Sequence, residues 1–375
     1  MAGSSKIKKP EKLKYFDYSL LFVIIFLVGF GLVMLYSVSS YEAQSEFGDA
    51  AYYLKKQLAA ACLGLVAMFI VSRIDYHVWQ KLSLPVYGLA LLLCVAVLFL
   101  GSDSNGSSRW FRIGGLSVQP SEIAKIAVII FSAALLCKTA KQIAKLQNLI
   151  KVFCFIAPIV LVIAVNNLST AIIVAGIAFI MVFVVSPKYT HFIAFAAVAA
   201  VAVVGFILVQ GYRADRISAW LHPEDHPDTA YQTLQGLYAI GSGGLFGKGL
   251  GASMQKLGYV PEAQNDMIFS IICEELGLFG AICVIALFIL MIWRFMVIAN
   301  NAADLYGSML VVGIMAHISL QVALNIAVVT NTFPNTGVTL PFISYGGTSI
   351  AILLTEMGLA LSVSRGIRLS DEKAA

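Results

Sequence analysis

Hydrophobic and polar positions along this chain separate on the scale of whole segments. Apolar runs of about 20 residues fall near 19–38, 55–72, 82–100, 121–137, 150–165, 168–186, 191–210, 268–292, 307–330 and 345–363. At a rise of about 1.5 Å per residue, such a run crosses the roughly 30 Å hydrocarbon layer of a bilayer as a helix. Lipid offers no partner to an open backbone N–H or C=O, so helices are required, and the weak alternation of a β-barrel is absent. The pattern predicts an all-α polytopic membrane protein: a basic tail at 1–17, a ten-helix membrane domain at 18–364, and a second tail at 365–375. One long polar connection, 211–267, interrupts it between the seventh and eighth runs.

Composition agrees. The 375 residues are 59% hydrophobic and 12% charged, with mean hydropathy +0.87, against about 25% charged residues in soluble domains. The net charge of +5 reads as topology rather than nucleic-acid binding. With the N-terminus inside, 16 of the 25 Lys and Arg fall on the inner side. The positive-inside rule then predicts N-in and C-in, with 211–267 outside. The first run lacks an A-x-A cleavage site, so it is expected to be retained. All six cysteines fall within apolar runs and none forms a CxxC pair. A small apolar role suffices for them.

The exceptions to the apolar pattern carry the candidate chemistry. Arg109, Trp110 and Arg112 make a cation-plus-aromatic cluster in the 101–119 connection, suited to a phosphate or sugar, although a plain interfacial Trp fits too. Glu122 stands in the first turn of the fourth run, where it complements the helix dipole. Lys125, one turn on, is a charge inside a span, costing at least ~2.5 kcal/mol unless paired or in a wet cavity. It snorkels, pairs with Glu122, or meets an anionic ligand. Arg213 and Arg216 make one cationic edge if the seventh helix continues. The glycines at 241–251 imitate nucleotide loops, but Ser242 stands where a P-loop needs its first glycine, and no βαβ unit surrounds them. What survives is a tight loop beside a ligand, or only a flexible connection. Pro261 is expected to start the eighth helix, with Glu262 and Asp266 one turn apart on a common face. Glu274 and Glu275 follow inside the apolar run, so at least one must be protonated, paired or in a polar cavity. Gln321 and Asn325 stand four apart in the ninth run.

Together these stretches resemble the SEDS family (shape, elongation, division and sporulation), the FtsW/RodA/SpoVE proteins. The residues that carry the resemblance are Ser108-Arg109-Trp110, Gln119 through Lys125, Tyr212-Arg213 with Arg216, and Ala239 through Gly251. Pro261-Glu262, Glu274 through Gly277, and Thr339 through Ser349 complete them. The last block is worded more like FtsW or SpoVE than RodA. Two departures stand out. The family often reads His-Thr-Asp where this chain has Gln264-Asn265-Asp266, keeping the aspartate. It often reads Asp-Leu-Gly-Thr where this chain has Asn167-Leu168-Ser169-Thr170, so no role for an acid carries over there.

The resemblance implies a multi-pass enzyme of the bacterial plasma membrane, at the division septum. It would polymerise lipid II into glycan strands and release undecaprenyl pyrophosphate. Asp266 matches the family's catalytic aspartate, as base or organiser of the base. Lys125, Arg109, Arg213 and Arg216 become phosphate partners, Trp110 a sugar or lipid contact, and Glu122, Glu274 and Glu275 further substrate-site residues. The implied partners are a class B penicillin-binding protein (a transpeptidase) and other divisome membrane proteins, with no nucleic acid. No cofactor or metal ligand is assigned, and a divalent cation, Mg or Mn, stays open. A lipid II flippase would also suit intramembrane charges. A non-catalytic scaffold for a cell-wall synthase would leave Asp266 and Lys125 unexplained.

Overall fold

The computed structural model describes residues 15–104, 107–113, 116–143, 145–187, 192–193, 197, 201, 205, 218–223 and 225–367. Its long helices are α1 (Tyr18–Phe47), α2 (Tyr52–Arg73), α4 (Ser83–Leu100), α5 (Pro120–Thr139), α6 (Leu146–Asn166) and α7 (Leu168–Val185), with the short α3 (His77–Lys81) before α4. After the least described stretch come α8 (Pro227–Gly243), α9 (Ile268–Asn300), α10 (Leu305–Val329) and α11 (Thr348–Arg365). Among the described residues nine helices are long and apolar enough to cross a membrane. The run at 191–210 lies almost wholly outside those residues.

Two expectations change. The fold is mostly helical but not all-α: a three-stranded antiparallel sheet, β1 (Ser102–Ser104), β2 (Ser107–Ile113) and β3 (Leu116–Val118), fills the connection between α4 and α5. Ser104 pairs with Ser107 and Ile113 with Leu116, so the connections are the two-residue pairs Asn105-Gly106 and Gly114-Gly115. Asn-Gly is the strongest short hairpin signal, and Gly-Gly is among the pairs that the same tight turns favour. The 211–267 connection is also not all loop, because α8 occupies part of it and packs on α9. A Cβ on Gly236 would lie 2.3 Å from the Met267 methyl, and one on Gly243 would lie 2.0 Å from the Cys273 carbonyl oxygen.

Small residues set the closest helix packing, as expected where lipid removes the hydrophobic drive between helices. A Cβ on Gly64 of α2 would lie 2.7 Å from the Ala351 Cα of α11, and one on Gly358 would lie 2.7 Å from the Met68 carbonyl oxygen. Charged clusters close the bundle at the end where α1 begins. Asp17 caps α1 through the Leu20 N–H (2.8 Å) and accepts from Arg294 of α9 at 2.6 and 3.2 Å. Asp304 caps α10 and accepts from the Tyr76 hydroxyl, with His77 Nε2 at 3.0 Å. Burial alone would raise the Asp304 carboxyl, but the Tyr76 hydroxyl, the Gly307 N–H and His77 hold it below the usual carboxylate range. Asp75 accepts from the backbone N–H of His77 and meets its ring at 2.7 Å.

Candidate functional site

The site is built at the opposite end, and α10 acts as its ruler. Gln321 and Asn325 are one turn apart, about 6 Å along the axis. The Gln321 amide oxygen accepts from the Lys125 ammonium (3.0 Å), and its nitrogen donates to the Thr339 carbonyl (3.0 Å). The Asn325 amide donates to the backbone carbonyls of Asp266 (2.7 Å) and Val338 (2.8 Å). Two adjacent residues of the last loop, the helix-bound lysine and the backbone of the aspartate are thereby fixed to one face of one helix.

Lys125 is 2% exposed. Its ammonium also meets Glu122 Oε1 at 2.8 Å, the i, i+3 pairing open in the sequence. A buried ammonium without such partners would be too costly to keep charged. Lysine has three donors, and the third has no partner among the described residues.

Asp266 does not sit on a helix, which corrects the expected start at Pro261. Residues 261–267 are turns, Glu262 has φ 50°, and α9 begins at Ile268. Glu262 is exposed, and its carboxylate accepts from Asn265 (3.0 Å) rather than sharing a face with Asp266. The turn holds because it is stitched to its surroundings. The Tyr345 N–H donates to the Gln264 carbonyl (2.8 Å), and the Gln264 amide donates to Glu42 (2.8 Å). The Asp266 carboxylate accepts from the Gln232 amide of α8 (3.3 Å), and the Asn335 amide orients Gln232 by donating to its oxygen (2.8 Å). Asp266 is 7% exposed.

Glu274 and Glu275 belong to a different construction. α9 is broken at Gly277 (φ 67°, ψ −168°), directly after them. The glycine-rich loop lies in the break. Lys248 N–H donates to the Glu274 carbonyl and Gly249 N–H to the Glu275 carbonyl, while Leu278 and Phe279 N–H donate to the carbonyls of Gly244 and Leu245 (2.9–3.0 Å). Both glutamates are fully buried. Glu274 meets Lys248 (2.7 Å) and accepts from Ser253 and the Met254 N–H; Glu275 meets Lys256 (2.8 Å) and Ser37 (2.8 Å). Gly243 and Gly247 serve backbone close approach, a Cβ on them lying 2.0 Å from the Cys273 carbonyl oxygen and 2.1 Å from the Glu275 carbonyl oxygen. Neither glutamate is brought to Asp266, and each has its charge met within the loop. The 33 residues of α9 exceed the roughly 20 that a bilayer needs, so the acids stand near the end of the apolar crossing that starts at Arg294.

Trp110 lies in β2, opposite Ser102. Arg109 is in the same strand, with its side chain outside the described residues, and Arg213 and Arg216 lie outside them altogether. No group of three His, Cys, Asp or Glu side chains converges among the described residues, so the Mg or Mn left open has no such site there. The sequence reading passes over His317 and Glu356. Their rings and carboxylates meet at 2.8 Å deep between α10 and α11, and His317 Nε2 lies 2.8 Å from the Gln321 oxygen. An ionisable residue inside an apolar run is itself the signal that marks them.

Fold and site define a multi-pass helical membrane protein with a buried cation and a carboxylate held together at one end of the bundle. The family model described as "Cell cycle protein" (FtsW, RodA, SpoVE) matches residues 18–369. The chain belongs to this family. It is 39% identical to "Stage V sporulation protein E" of Bacillus subtilis (strain 168), over 93% of this chain and 97% of that one. To the "Probable peptidoglycan glycosyltransferase FtsW" of Trichlorobacter lovleyi it is 38% identical, over 97% of both. Among solved structures, it matches one from "Structural coordination of polymerization and crosslinking by a peptidoglycan synthase complex" with TM-score 0.78 and 27% identity, over 93% of this chain and 98% of the other. The Thermus thermophilus rod shape determining protein RodA matches with TM-score 0.69 and 26% identity, over 95% and 98%.

Proposed function

We propose that this chain is a peptidoglycan glycosyltransferase that polymerises lipid II into glycan strands in the bacterial plasma membrane during cell division. The observation that carries the reading is the α10 ruler, which holds the Lys125 ammonium and the Asp266 backbone one turn apart. In the reaction an acceptor sugar hydroxyl attacks the anomeric carbon of the donor. The new glycosidic bond forms as the carbon–oxygen bond to undecaprenyl pyrophosphate breaks. Asp266 takes the hydroxyl proton, in the orientation that Gln232 gives its carboxylate. The third donor of Lys125 meets the pyrophosphate oxygens as they gain charge, in a setting where water screens little. Arg109, Arg213 and Arg216 are further partners for the pyrophosphate, Trp110 contacts sugar or lipid, and Glu122 holds the Lys125 ammonium through their ion pair.

Ten spans, N-in and C-in, with 211–267 and the site outside, suit a substrate presented at the outer leaflet. A cysteine replacing Phe246, 81% exposed in the glycine loop, is expected to react with an impermeant thiol reagent on intact protoplasts. One replacing Gln142 is expected not to; the reverse pattern would overturn the topology. A transpeptidase partner of the class B penicillin-binding type, at the septum with other divisome proteins, fits the likeness to a complex that couples polymerisation and crosslinking.

The test is polymer formation from purified lipid II by the purified chain with that partner. Lys125→Met is expected to lower the rate by about 10²–10³-fold at near-normal membrane levels. If Lys125 only balances Glu122, the double change Glu122→Gln and Lys125→Met restores activity, and the ligand role fails. No polymer, with lipid II still crossing between leaflets, would favour a flippase.

A further inference from the structure

The pair His317–Glu356 is buried, 2% and 0% exposed, and no step above uses it. Its hydrogen bonds fix its protons. Lys125 donates to one end of the Gln321 amide and the other end donates to Thr339, so the oxygen is the end that faces both Lys125 and His317. His317 Nε2 therefore confronts an acceptor and must carry a hydrogen. Nδ1 confronts the Glu356 carboxyl at 2.8 and 2.9 Å. Either that nitrogen is also protonated, facing a carboxylate, or the carboxyl is protonated and donates to it. Both arrangements have zero net charge and both put an N–H on the Gln321 oxygen.

We propose that His317 and Glu356 are positioning residues for the Lys125 ammonium, acting by locking the Gln321 amide with its oxygen toward the lysine. The inference rests on Lys125 as the pyrophosphate ligand. The Lys125 ammonium and the Thr339 carbonyl hold the amide from two sides, and the His317 N–H is the third hold, made from within α10 itself. An imidazole nitrogen bearing a lone pair would select the NH2 instead and turn it against the ammonium. The charged and titratable groups linked through Gln321 are Glu122 and Lys125 from α5, His317 from α10 and Glu356 from α11. One cation from α5 is thus oriented from α10 and α11.

The experiment measures KM for lipid II, kcat, and inhibition by undecaprenyl pyrophosphate in the full chain with its partner, alongside thermal midpoint in detergent. Removing His317 alone strands a buried carboxyl and risks folding, so the informative variant is the apolar double, His317→Met with Glu356→Leu. Replacing both members of a buried pair by apolar groups is often neutral or stabilising. It is expected to keep the midpoint but to raise both KM and the inhibition constant by about tenfold, the loss of roughly one charge-assisted hydrogen bond. Glu356→Gln is expected to stay within about twofold of the parent, because a glutamine NH2 can donate to Nδ1 while Nε2–H still faces Gln321. An apolar double with parental KM and inhibition constant would make the pair purely structural and sink the proposal. So would a Glu356→Gln variant as impaired as the double. If Lys125→Met itself leaves KM and rate unchanged, the assignment of Lys125 has failed, a result separable from either of these.

Discussion

Asp266→Asn is expected to give a folded, membrane-inserted protein whose lipid II polymerisation falls by about 10²–10⁴-fold. Asparagine keeps the size of the side chain, and its oxygen can still accept from the Gln232 amide. It cannot take the proton of the acceptor hydroxyl, and that assistance is worth about 3–5 kcal/mol of barrier. The contact that anchors this turn to α10 survives the change, because it is made by the Asp266 backbone carbonyl with Asn325. The competing account makes Asp266 a dipole partner of α9, worth about 0.3–1 kcal/mol. Under it Asp266→Asn would polymerise at close to the parental rate, and the base would have to be sought elsewhere. Glu262→Gln is the matched control: exposed, in a left-handed turn, bonded only locally to Asn265, it is expected to keep substantial activity.

What the sequence made legible follows from which physical signals are local. Apolar runs of about 20 residues are self-announcing, because each span must be apolar along its whole length. All nine spans of the described residues lie on runs read from the pattern. Lys125 with Glu122 was equally open to reading, since the helix fixes which residues share a face. The sheet at 102–118 was announced by Asn105-Gly106 and Gly114-Gly115 but hidden among helical expectations. Other features depend on elements far apart in the chain. That Gln321 would bridge Lys125 and Thr339 needs α5 and the last loop to meet on α10. That Glu274 and Glu275 would be consumed by Lys248 and Lys256 needs the loop to thread a broken helix. Periodicity sees neither: it shows that the two glutamates are charged in an apolar run, not what meets that charge.

That broken helix gives the largest expected effect on stability, in Gly277→Ala. The Gly277 backbone, φ 67° and ψ −168°, lies in a region open essentially to glycine alone, where a side chain costs about 1–3 kcal/mol. Space is the harder limit. A Cβ there would lie 2.3 Å from the Gly247 nitrogen and 2.6 Å from the Leu245 carbonyl, backbone atoms with nowhere to rotate. The loop would have to leave the break, taking with it the donors from Lys248 and Gly249 that satisfy the carbonyls of Glu274 and Glu275. Lys248 and Lys256 would follow, and a buried carboxylate stripped of its partner costs about 3–5 kcal/mol. Against a total stability of about 5–15 kcal/mol, this is enough to clear the protein from the membrane. Gly241→Ala is the control from the same region: it sits in α8 with nothing within 4 Å of its Cβ position, and alanine there is expected to be neutral or to add up to about 1 kcal/mol. Membrane level and thermal midpoint in detergent separate the two. A Gly277→Ala protein that accumulates and melts like the parent would mean that α9 can run straight through, and that the glycine loop is not what holds Glu274 and Glu275 in place.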